Sequence, residues 1–352
     1  MTPSVVSIVI DNYNYGRYLP TAIDSALAQR GSAVDVVVVD DGSTDGSRAI
    51  LARYGERITT VLKPNGGQAS AFNAALPHCR GDVVMFLDAD DALLPDAAAT
   101  VLRAFTETPR LVKVQFRLAV IDGDGRPTGE VKPPEHVCPP NGVVWREELT
   151  FPFDLVWMAT SANAFSAGAL ARVMPIPEGE FRDSADWYLQ HLVPLLGPVA
   201  SLPAVCAHYR VHGGNAYEPA GARLDLAHVR QSVAYAAATR RHLRRMAGEL
   251  ELPMRPGPIL SVADLANRLI SRKLEPAAHP LAADGVARLA LAGAVAATRR
   301  SDVRIPWKLA TIAWFAGTAS APRPVARRLA ALFLFPGRRH WANALLGAWK
   351  RA

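Results

Sequence analysis

Cysteine is scarce in this sequence. Three cysteines, Cys79, Cys138 and Cys206, are spread over a chain of 352 residues. An odd number at such wide spacing predicts neither a disulfide framework nor a cysteine zinc site, and it fits a reducing cytoplasm. The start of the chain also lacks the basic segment of a secretory signal, so we expect a cytoplasmic protein.

Glycine loops of the kinds that bind nucleotide phosphates are missing. The sequence has no GxxxxGK[ST] loop and no GxGxxG after its first predicted strand. Their absence disfavours P-loop enzymes and dinucleotide-dependent oxidoreductases. Apolar runs long enough to span a membrane are lacking too, and the nearest approach, residues 309–322, contains Gly and Ser.

Charge is divided unevenly along the chain. Residues 1–220 carry a net charge of −8 and residues 221–352 one of +15. From about residue 218 the composition shifts towards Ala, Leu and Arg. We therefore predict a catalytic α/β domain over residues 1–217 and a basic, Ala/Arg-rich helical region over residues 218–352.

Apolar runs alternate with helical patterns at the start of the chain. Predicted strands cover residues 5–10, 34–39, 58–62 and 83–87. This alternation predicts an α/β fold with a Rossmann-like, mostly parallel sheet flanked by helices. Ligands of such sheets bind outside the carboxyl ends of the strands. Four polar loops follow those ends, and they contain Asp11, Asp41, Gly67 and Asp88.

The densest group of carboxylates follows the fourth predicted strand. Asp88, Asp90 and Asp91 are nearly consecutive there. Alternation can turn Asp88 and Asp90 the same way, and two such oxygen ligands suit Mg²⁺ or Mn²⁺, which can hold a substrate's phosphates. Asp-x-Asp alone more often marks an ordinary turn or a helix cap. The agreement of four polar loops at one edge favours the metal site.

Further candidates lie downstream. Asp183 and Asp186 are three residues apart beside Trp187, which predicts one helix face carrying a general base and a ring platform. Capping and the helix dipole would also explain these carboxylates. Residues 204–209 predict an edge strand that leads to His212, in a Gly-rich turn where an imidazole either has a structural role or reaches a metal.

Two regions are predicted to surround the site. Residues 122–140, rich in Gly, Pro and charge, predict a loop or hairpin over it. Residues 155–171 lack charge and predict a strand and helix that line the acceptor side, with Asn163 among their polar residues.

Five ordered motifs resemble those of family 2 glycosyltransferases over roughly residues 4–217. They are Ile8-Val9-Ile10-Asp11-Asn12-Tyr13-Asn14, Val39-Asp40-Asp41-Gly42-Ser43, Leu87-Asp88-Ala89-Asp90-Asp91, Ala185-Asp186-Trp187 and Tyr209-Arg210-Val211-His212. The resemblance implies a GT-A fold, a nucleotide-diphosphate sugar as donor, a divalent metal (Mn²⁺ or Mg²⁺) and inversion at the anomeric carbon.

The resemblance also implies roles for single residues. Asp11, Tyr13 and Asp41 would contact the base and ribose of the donor, and Asp88 would contact the ribose or sugar. Gly67 is also predicted to be a donor-binding residue. Asp90 would bind the metal with the diphosphate, His212 would be the second protein ligand, and Asp91 is a weaker candidate.

On the acceptor side, Asp186 matches the family's base, with Asn163, Asp183 and Trp187 expected nearby. Ala185 replaces a Glu that is usual in the family, and Asp11 replaces a Pro or Thr.

Other functions remain open at this level. A sugar nucleotidyltransferase also uses a nucleotide-binding sheet and Mg²⁺, but it would want a Gly-rich basic loop after the first strand, where this chain has only Arg17. A non-catalytic nucleotide-sugar-binding or scaffold protein on the same fold is the other alternative. Intact Asp90, Asp186 and His212 argue against it.

The basic tail permits more than one interpretation. Residues 323–351 mix arginines with aromatic side chains, a combination that suits an anionic membrane surface, where a lipid-linked acceptor would be found. A helical subdomain packed on the catalytic domain explains the same composition equally well. Nucleic acid is a poor candidate partner because no recognised binding module accompanies the charge.

Overall fold

A computed structural model describes residues 5–215, 224–254, 260–300 and 302–334. The strands in these ranges are β1 Val5–Asn12, β2 Ala33–Asp40, β3 Thr59–Leu62, β4 Val83–Asp88, β5 Ala92–Leu93, β6 Lys113–Asp122, β7 Pro127–Lys132, β8 Asn163–Ser166 and β9 Val199–Val211. The α-helices are α1 Leu19–Leu27, α2 Ser47–Ala52, α3 Gln68–Ala75, α4 Ala97–Glu107, α5 Trp145–Thr150, α6 Ala167–Val173, α7 Glu178–Phe181, α8 Ala185–Leu192, α9 Leu226–Glu249, α10 Val262–Leu274, α11 Val286–Arg299, α12 Ile305–Ser320 and α13 Arg323–Leu334.

The described strands form one sheet in the order β3-β2-β1-β4-β8-β6-β9-β5, with β7 paired to β6. Strands β3, β2, β1 and β4 are parallel neighbours, as the alternating pattern predicts. Beyond β4 the sheet is mixed, because β8 runs antiparallel to both β4 and β6 while β9 is parallel to β6. The predicted strand at residues 204–209 is confirmed as part of β9, but it is not the edge of the sheet, because the two-residue strand β5 pairs with its outer side.

The core of the sheet is built from the near-continuous apolar runs of β1, β2 and β4. Ile8, Ile10 and Val38 are fully buried there, and Leu19 and Ile23 of α1 belong to the same cluster. Strands covered on both faces need such runs, since neither face meets water. Burying each of these aliphatic side chains stabilises the folded state by about 1.5–3 kcal/mol relative to leaving it exposed. Their packing therefore stabilises the observed positions of the strands.

The predicted hairpin and the predicted strand and helix are present. Strands β6 and β7 form an antiparallel hairpin joined at residues 123–126. The region at residues 155–171 supplies β8 and most of α6.

The chain divides into two compact units. The first comprises residues 1–149, 155–215 and 241–254, and the second residues 150–154, 216–240 and 255–352. One division falls two residues before the predicted boundary at 217, but the short segments exchanged at 150–154 and 241–254 had no signal in the sequence.

Helices α10, α11 and α12 pack together in the second unit. Phe315 of α12 is fully buried with Leu269 of α10 and Leu289 of α11. Gly293 lies beneath the Phe315 ring, where a Cβ atom would come within 2.2 Å of it. Only the absence of a side chain at position 293 allows the two helices this approach.

Buried charges also occur in the second unit, arranged in pairs. Asp264 accepts hydrogen bonds from Arg240 and Arg268, and Asp284 accepts from Arg268 and His279. Each carboxylate therefore has a guanidinium partner, which offsets the free energy lost when charges leave water.

The predicted helices at residues 224–250 and 261–274 are confirmed as α9 and α10. Within the described ranges, every helix is too short or too polar to cross a membrane. The basic aromatic stretch predicted at residues 323–351 lies mostly outside the described residues, which end at 334.

Candidate active site

Acidic side chains meet where β1, β2 and β4 end at the same edge of the sheet. Asp11 of β1 lies directly beside Asp88 of β4 in the strand register. Asp40, the last residue of β2, pairs with Asn12 on the other side of β1. Parallel strands whose carboxyl ends coincide bring together residues that are far apart in sequence. Asp11 and Asp88 therefore belong to one site, as the sequence indicates.

The Asp-x-Asp loop places three carboxylates around a common point. Ligand atoms of Asp88, Asp90 and Asp91 all lie within 4.8 Å of one another. His212, at the end of β9, brings its Nε2 atom to 3.0 Å from Oδ2 of Asp90. Hard carboxylate oxygens with one imidazole form a donor set that suits Mn²⁺ or Mg²⁺. These four residues are the ones that could hold a divalent metal.

The tautomer of His212 follows from its hydrogen bonds. The backbone N–H of Gly214 donates to Nδ1 over 3.1 Å. Because Nδ1 accepts, the proton is on Nε2, which donates to Asp90. A metal bound at Nε2 would instead require the proton on Nδ1, so binding would break the bond from Gly214. The rings of Tyr18 and Tyr15 lie 4.9 and 5.7 Å from the imidazole and hold it in this orientation.

The carboxylates of this site carry more negative charge than their surroundings neutralise. Burial raises the pKa of Asp11 to about 7, and the charge of Asp90 adds to the effect. Burial followed by the charge of Asp90 raises the pKa of Asp91 to about 8. Burial, with Asp11 as the next cause, raises the pKa of Asp88 well above its usual range. A divalent cation fits this site because its charge would offset both the burial and the repulsion.

Asp91 also has a structural function. Its Oδ1 accepts the backbone N–H of Arg210 over 2.8 Å, while Oδ2 is buried and has no hydrogen-bond partner among the described residues. Asp91 thus joins the Asp-x-Asp loop to β9, the strand that delivers His212. The unpaired oxygen keeps Asp91 a candidate ligand.

Arg210 belongs to the motif Tyr209-Arg210-Val211-His212, but the sequence predicted no role for its side chain. Its side chain is buried, and Nε donates to the carbonyl oxygen of Asp90 over 2.7 Å. Its guanidinium also lies 4.8 Å from the centroid of the Tyr18 ring and donates to the carbonyl of Asp122. Arg210 therefore fixes the loop carrying Asp90 against the turn of the β6–β7 hairpin.

Asp41 and Gly67 are joined in one loop structure. The Asp41 carboxylate accepts the backbone N–H groups of Gly66 and Gly67 at 2.9 and 2.7 Å, together with the side chains of Asn65 and Lys63. Gly67 has φ +85°, and a Cβ atom there would lie 2.6 Å from the carbonyl oxygen of Arg182. Asp41 organises the loop after β3, and its direct contact with the donor stays a prediction.

Tyr13 and Asp11 lie at the first strand's end with different exposure. Tyr13 is 46% exposed. Oδ1 of Asp11 is buried and has no hydrogen-bond partner in the part of the chain that the structure describes. Such an unpaired oxygen is costly unless a ligand or water bonds to it, which suits the predicted donor side.

Gln68 is a site residue that the sequence analysis missed. Its Nε2 donates to Oδ1 of Asp88 over 3.2 Å, and its Oε1 accepts the backbone N–H of Ala185 over 3.1 Å. Gln68 therefore ties the end of β4 to the first residue of α8, next to Asp186. Its position after the Gly66-Gly67 pair was the available signal.

Asp186 lies in the first turn of α8 and is partly buried. Its Oδ1 accepts the backbone N–H of Trp187 over 2.7 Å, and its Oδ2 accepts from Gln190 over 3.3 Å. Burial raises the pKa of Asp186 in spite of the hydrogen bonds from Trp187 and Thr160. The charge of the Asp186 carboxylate also contributes, as the smallest of the causes, to the raised pKa of Asp88.

The predicted acceptor-side residues differ in their exposure and contacts. Asp183 precedes α8 and its side chain is 60% exposed beside Arg182, so the predicted helix face shared with Asp186 is wrong. Trp187 packs its ring edge-on against His191 at 5.0 Å. Asn163 is buried and donates to the backbone carbonyls of Met158 and Ala159. It therefore stabilises the entry to β8, and its contact with an acceptor stays a prediction.

Comparison with known proteins identifies the family of this chain. Residues 7–157 match the model of the family "Glycosyl transferase family 2". An uncharacterized glycosyltransferase from Nostoc sp. is 35% identical over 222 residues, 60% of this chain and 66% of that protein. Chondroitin synthase from Pasteurella multocida is 30% identical over 217 residues, which are 60% of this chain but only 21% of the synthase. The chain belongs to glycosyltransferase family 2.

Solved structures give the fold independently. The crystal structure of S. aureus TarS 1-349 in complex with UDP superposes with a TM-score of 0.51 and 17% identity, covering 92% of this chain and 91% of that one. The same protein in complex with UDP-GlcNAc gives the same score at 15% identity. The chain has the GT-A fold predicted from its motifs, with helices following the catalytic domain.

Proposed function

We propose that this protein is an inverting glycosyltransferase that moves a sugar from a nucleotide-diphosphate sugar to a hydroxyl group of a glycan, a lipid-linked or a small-molecule acceptor. The observation that carries the proposal is the bridge made by Gln68 between Asp88 and the residue before Asp186. This bridge supports an arrangement in which the Asp186 carboxylate would serve the acceptor and the neighbouring acidic side chains would serve the donor. Family membership favours this function over a sugar nucleotidyltransferase.

Asp186 would act as the general base. Displacement at the anomeric carbon needs an acceptor hydroxyl that loses its proton on the face opposite the leaving diphosphate. Partial burial raises the pKa of Asp186 and so makes it a stronger proton acceptor, while the Trp187 N–H and Gln190 hold its two oxygens in place. Trp187 next to it would supply a ring for the acceptor sugar.

The donor would lie along the ends of β1 and β4. Tyr13 and Asp11 would contact the base and ribose, Asp88 the ribose or sugar, and the loop organised by Asp41 would border the nucleotide. Asp90 and His212, with Asp88 and Asp91 beside them, would hold Mn²⁺ or Mg²⁺. Such a metal neutralises charge on a departing diphosphate, so the protein needs no protonated acid for the leaving group.

A panel of nucleotide sugars tests this proposal. We expect release of nucleoside diphosphate from at least one of UDP-glucose, UDP-N-acetylglucosamine, UDP-glucuronate and GDP-mannose with Mn²⁺ present, and no release after EDTA is added. Asp186→Asn should abolish transfer yet keep nucleotide binding, because the base acts after the donor has bound. A wild-type rate from Asp186→Asn would refute the base assignment, and equal activity in EDTA would refute the metal.

We further propose that the protein contacts an anionic membrane surface peripherally, on the inner face of the cytoplasmic membrane. In the described part of the basic region, Ile305, Trp307 and Leu309 are exposed at the start of α12, next to Arg304 and Lys308. Apolar side chains among cations suit the boundary of anionic lipids.

Co-sedimentation with liposomes of anionic and of neutral lipids tests the membrane contact. Replacing Ile305 and Leu309 with Ser should lower binding to the anionic vesicles. The same change at exposed Leu62 of the first unit should leave binding unaltered. Equal binding by all three proteins would remove the membrane proposal.

A further inference from the structure

A second charged cluster in the first unit is buried and has no part in the mechanism above. Lys113 of β6 and Glu148 of α5 are 0% exposed, and His191 of α8 is 2% exposed. Charged side chains are seldom buried so completely, because leaving water costs each of them on the order of several kcal/mol unless partners compensate.

The cluster is held together by specific contacts. Nζ of Lys113 donates to Oε1 of Gln115 over 3.1 Å and lies 4.0 Å from the centroid of the Trp157 ring. Oε1 of Glu148 pairs with Nδ1 of His191. The ammonium group of Lys113 therefore contacts an amide oxygen and an aromatic face. Burial lowers its pKa well below the usual range, and the charge of the buried Glu148 carboxylate acts in favour of the protonated form.

These contacts lead to the helix that carries Asp186. The ring of His191 lies 6.4 Å from the Trp157 ring and 5.0 Å from the Trp187 ring. Gln190, the residue before His191, donates to Oδ2 of Asp186 over 3.3 Å. A continuous set of contacts thus connects Lys113 with the first turn of α8.

Charge connects the cluster with Asp186 as well. Burial raises the pKa of Asp186, whereas Lys113 and His191 act to lower it. In return, burial lowers the pKa of Lys113, and the carboxylates of Glu148 and Asp186 act against that shift. The Asp186 carboxylate in turn raises the pKa of Asp11 and of Asp88. The positive charge of Lys113 therefore acts against the effect of burial on the pKa of Asp186.

We propose that Lys113 is a positioning residue for the proposed base, supplying the buried positive charge that keeps the Asp186 carboxylate ionised beside the acidic donor site. Glu148, paired with His191, holds this charge in the interior. The proposal rests on the function proposed above, since the need for an ionised Asp186 comes from its role as base.

Direct titration of Asp186 tests the proposal without donor or metal. In protein labelled with ¹³C at the aspartate carboxyl carbon, the Asp186 signal is assigned by its loss in Asp186→Asn. Lys113→Met removes the charge at similar length, and we expect it to raise the pKa of Asp186 by about one unit or more. Arg103→Met, a charge removal on the exposed face of α4, should leave that titration unaltered.

A double variant provides a second test in case Lys113→Met does not fold. Lys113→Met combined with Glu148→Met leaves no unpaired charge from that pair, a replacement that proteins often tolerate. We expect a smaller upward shift in the double variant, because loss of the Glu148 carboxylate partly offsets loss of the Lys113 ammonium group. The acidic limb of kcat/KM should move with it for whichever nucleotide sugar the wild type turns over.

The possible outcomes are distinct. An Asp186 titration that stays at its wild-type position in either folded variant would overturn the proposal, because a purely structural Lys113 would alter stability alone. Full transfer by Asp186→Asn would instead overturn the base assignment and leave the titration result standing.

Discussion

Oδ2 of Asp90 and Nε2 of His212 lie 3.0 Å apart although 122 residues separate them in the sequence. Asp90 follows β4 and His212 follows β9, so the contact forms only when both strands occupy their places in the sheet. Arg210 secures this arrangement, since its backbone N–H bonds to Asp91 and its side chain to the carbonyl of Asp90.

This pair predicts the effect of removing a metal ligand. Asp90→Ala and His212→Ala should each reduce the Mn²⁺-dependent affinity for the nucleoside diphosphate of the donor by about tenfold or more, because each removes one proposed ligand. Isothermal titration with UDP and with GDP, each with and without Mn²⁺, measures the effect. Glu107→Ala, which removes an exposed carboxylate at the end of α4, serves as the control and should bind like wild type. Unchanged Mn²⁺-dependent affinity in both site variants would contradict the assignment.

Gly67→Ala should destabilise the protein by about 1–3 kcal/mol, because position 67 combines φ +85° with a close carbonyl oxygen. Gly129→Ala separates the two causes: Gly129 has φ +82°, but a Cβ atom there would meet no heavy atom within 4 Å. Urea unfolding of both variants measures the difference. We expect the larger loss at Gly67, together with weaker UDP binding, since the Gly67 N–H holds Asp41. Equal losses would show that the contact with Arg182 relaxes.

Gly293→Ala should cost about 1–3 kcal/mol by overpacking, since its Cβ would lie 2.2 Å from the Phe315 ring. Gly317→Ala is the matched change on α12, where the Cβ would meet only Leu329 at 3.7 Å, an ordinary contact. It should be neutral or slightly stabilising, because Ala favours helix more than Gly does. Combining Gly293→Ala with Phe315→Leu should recover part of the loss, as measured by thermal unfolding. A neutral Gly293→Ala would mean that the helices separate at little cost.

Acid should weaken the second unit through Asp284. Burial opposes ionisation of this carboxylate, but hydrogen bonds from Arg268 and His279 outweigh it and lower its pKa. A carboxyl group with a lowered pKa in the folded state stabilises the protein above its unfolded value, about pH 3.9, and loses this contribution as the pH falls through the folded value.

The free-energy difference between wild type and Asp284→Asn measures this contribution. It should be constant above about pH 5 and shrink on further acidification. Urea unfolding at a series of pH values gives the difference, and comparing each variant with wild type cancels the shared titration of other groups. A difference that is independent of pH down to acid unfolding would contradict the lowered pKa.

Local patterns predicted the parallel strands because a strand buried on both faces needs an apolar run. The positions of Asp11 and Asp88 followed, since parallel strands end at a common edge. The exchange of residues 150–154 and 241–254 between the two units had no such signal, because pairing between distant segments leaves little trace in local composition.

For the candidate site residues, too, some predictions were confirmed and others failed. The likeness of Tyr209-Arg210-Val211-His212 to a family motif predicted His212 as a metal ligand, and the fold brings it to Asp90. The three-residue spacing wrongly predicted that Asp183 shares a helix face with Asp186, because α8 begins only at Ala185 and leaves Asp183 exposed. Asn163, predicted from the uncharged region at residues 155–171, donates to local backbone carbonyls, and its contact with an acceptor stays a prediction.

The sequence by itself determined the order of strands and helices at the start of the chain, the family, and the identity of the acidic residues that follow the strands. Only the tertiary structure decided which of these residues share a site, how Gln68 and Arg210 secure them, and that Lys113 lies buried in contact with the residues around α8. Periodicity and motif chemistry are local properties of the chain, whereas burial and electrostatic interaction depend on which distant segments pack together.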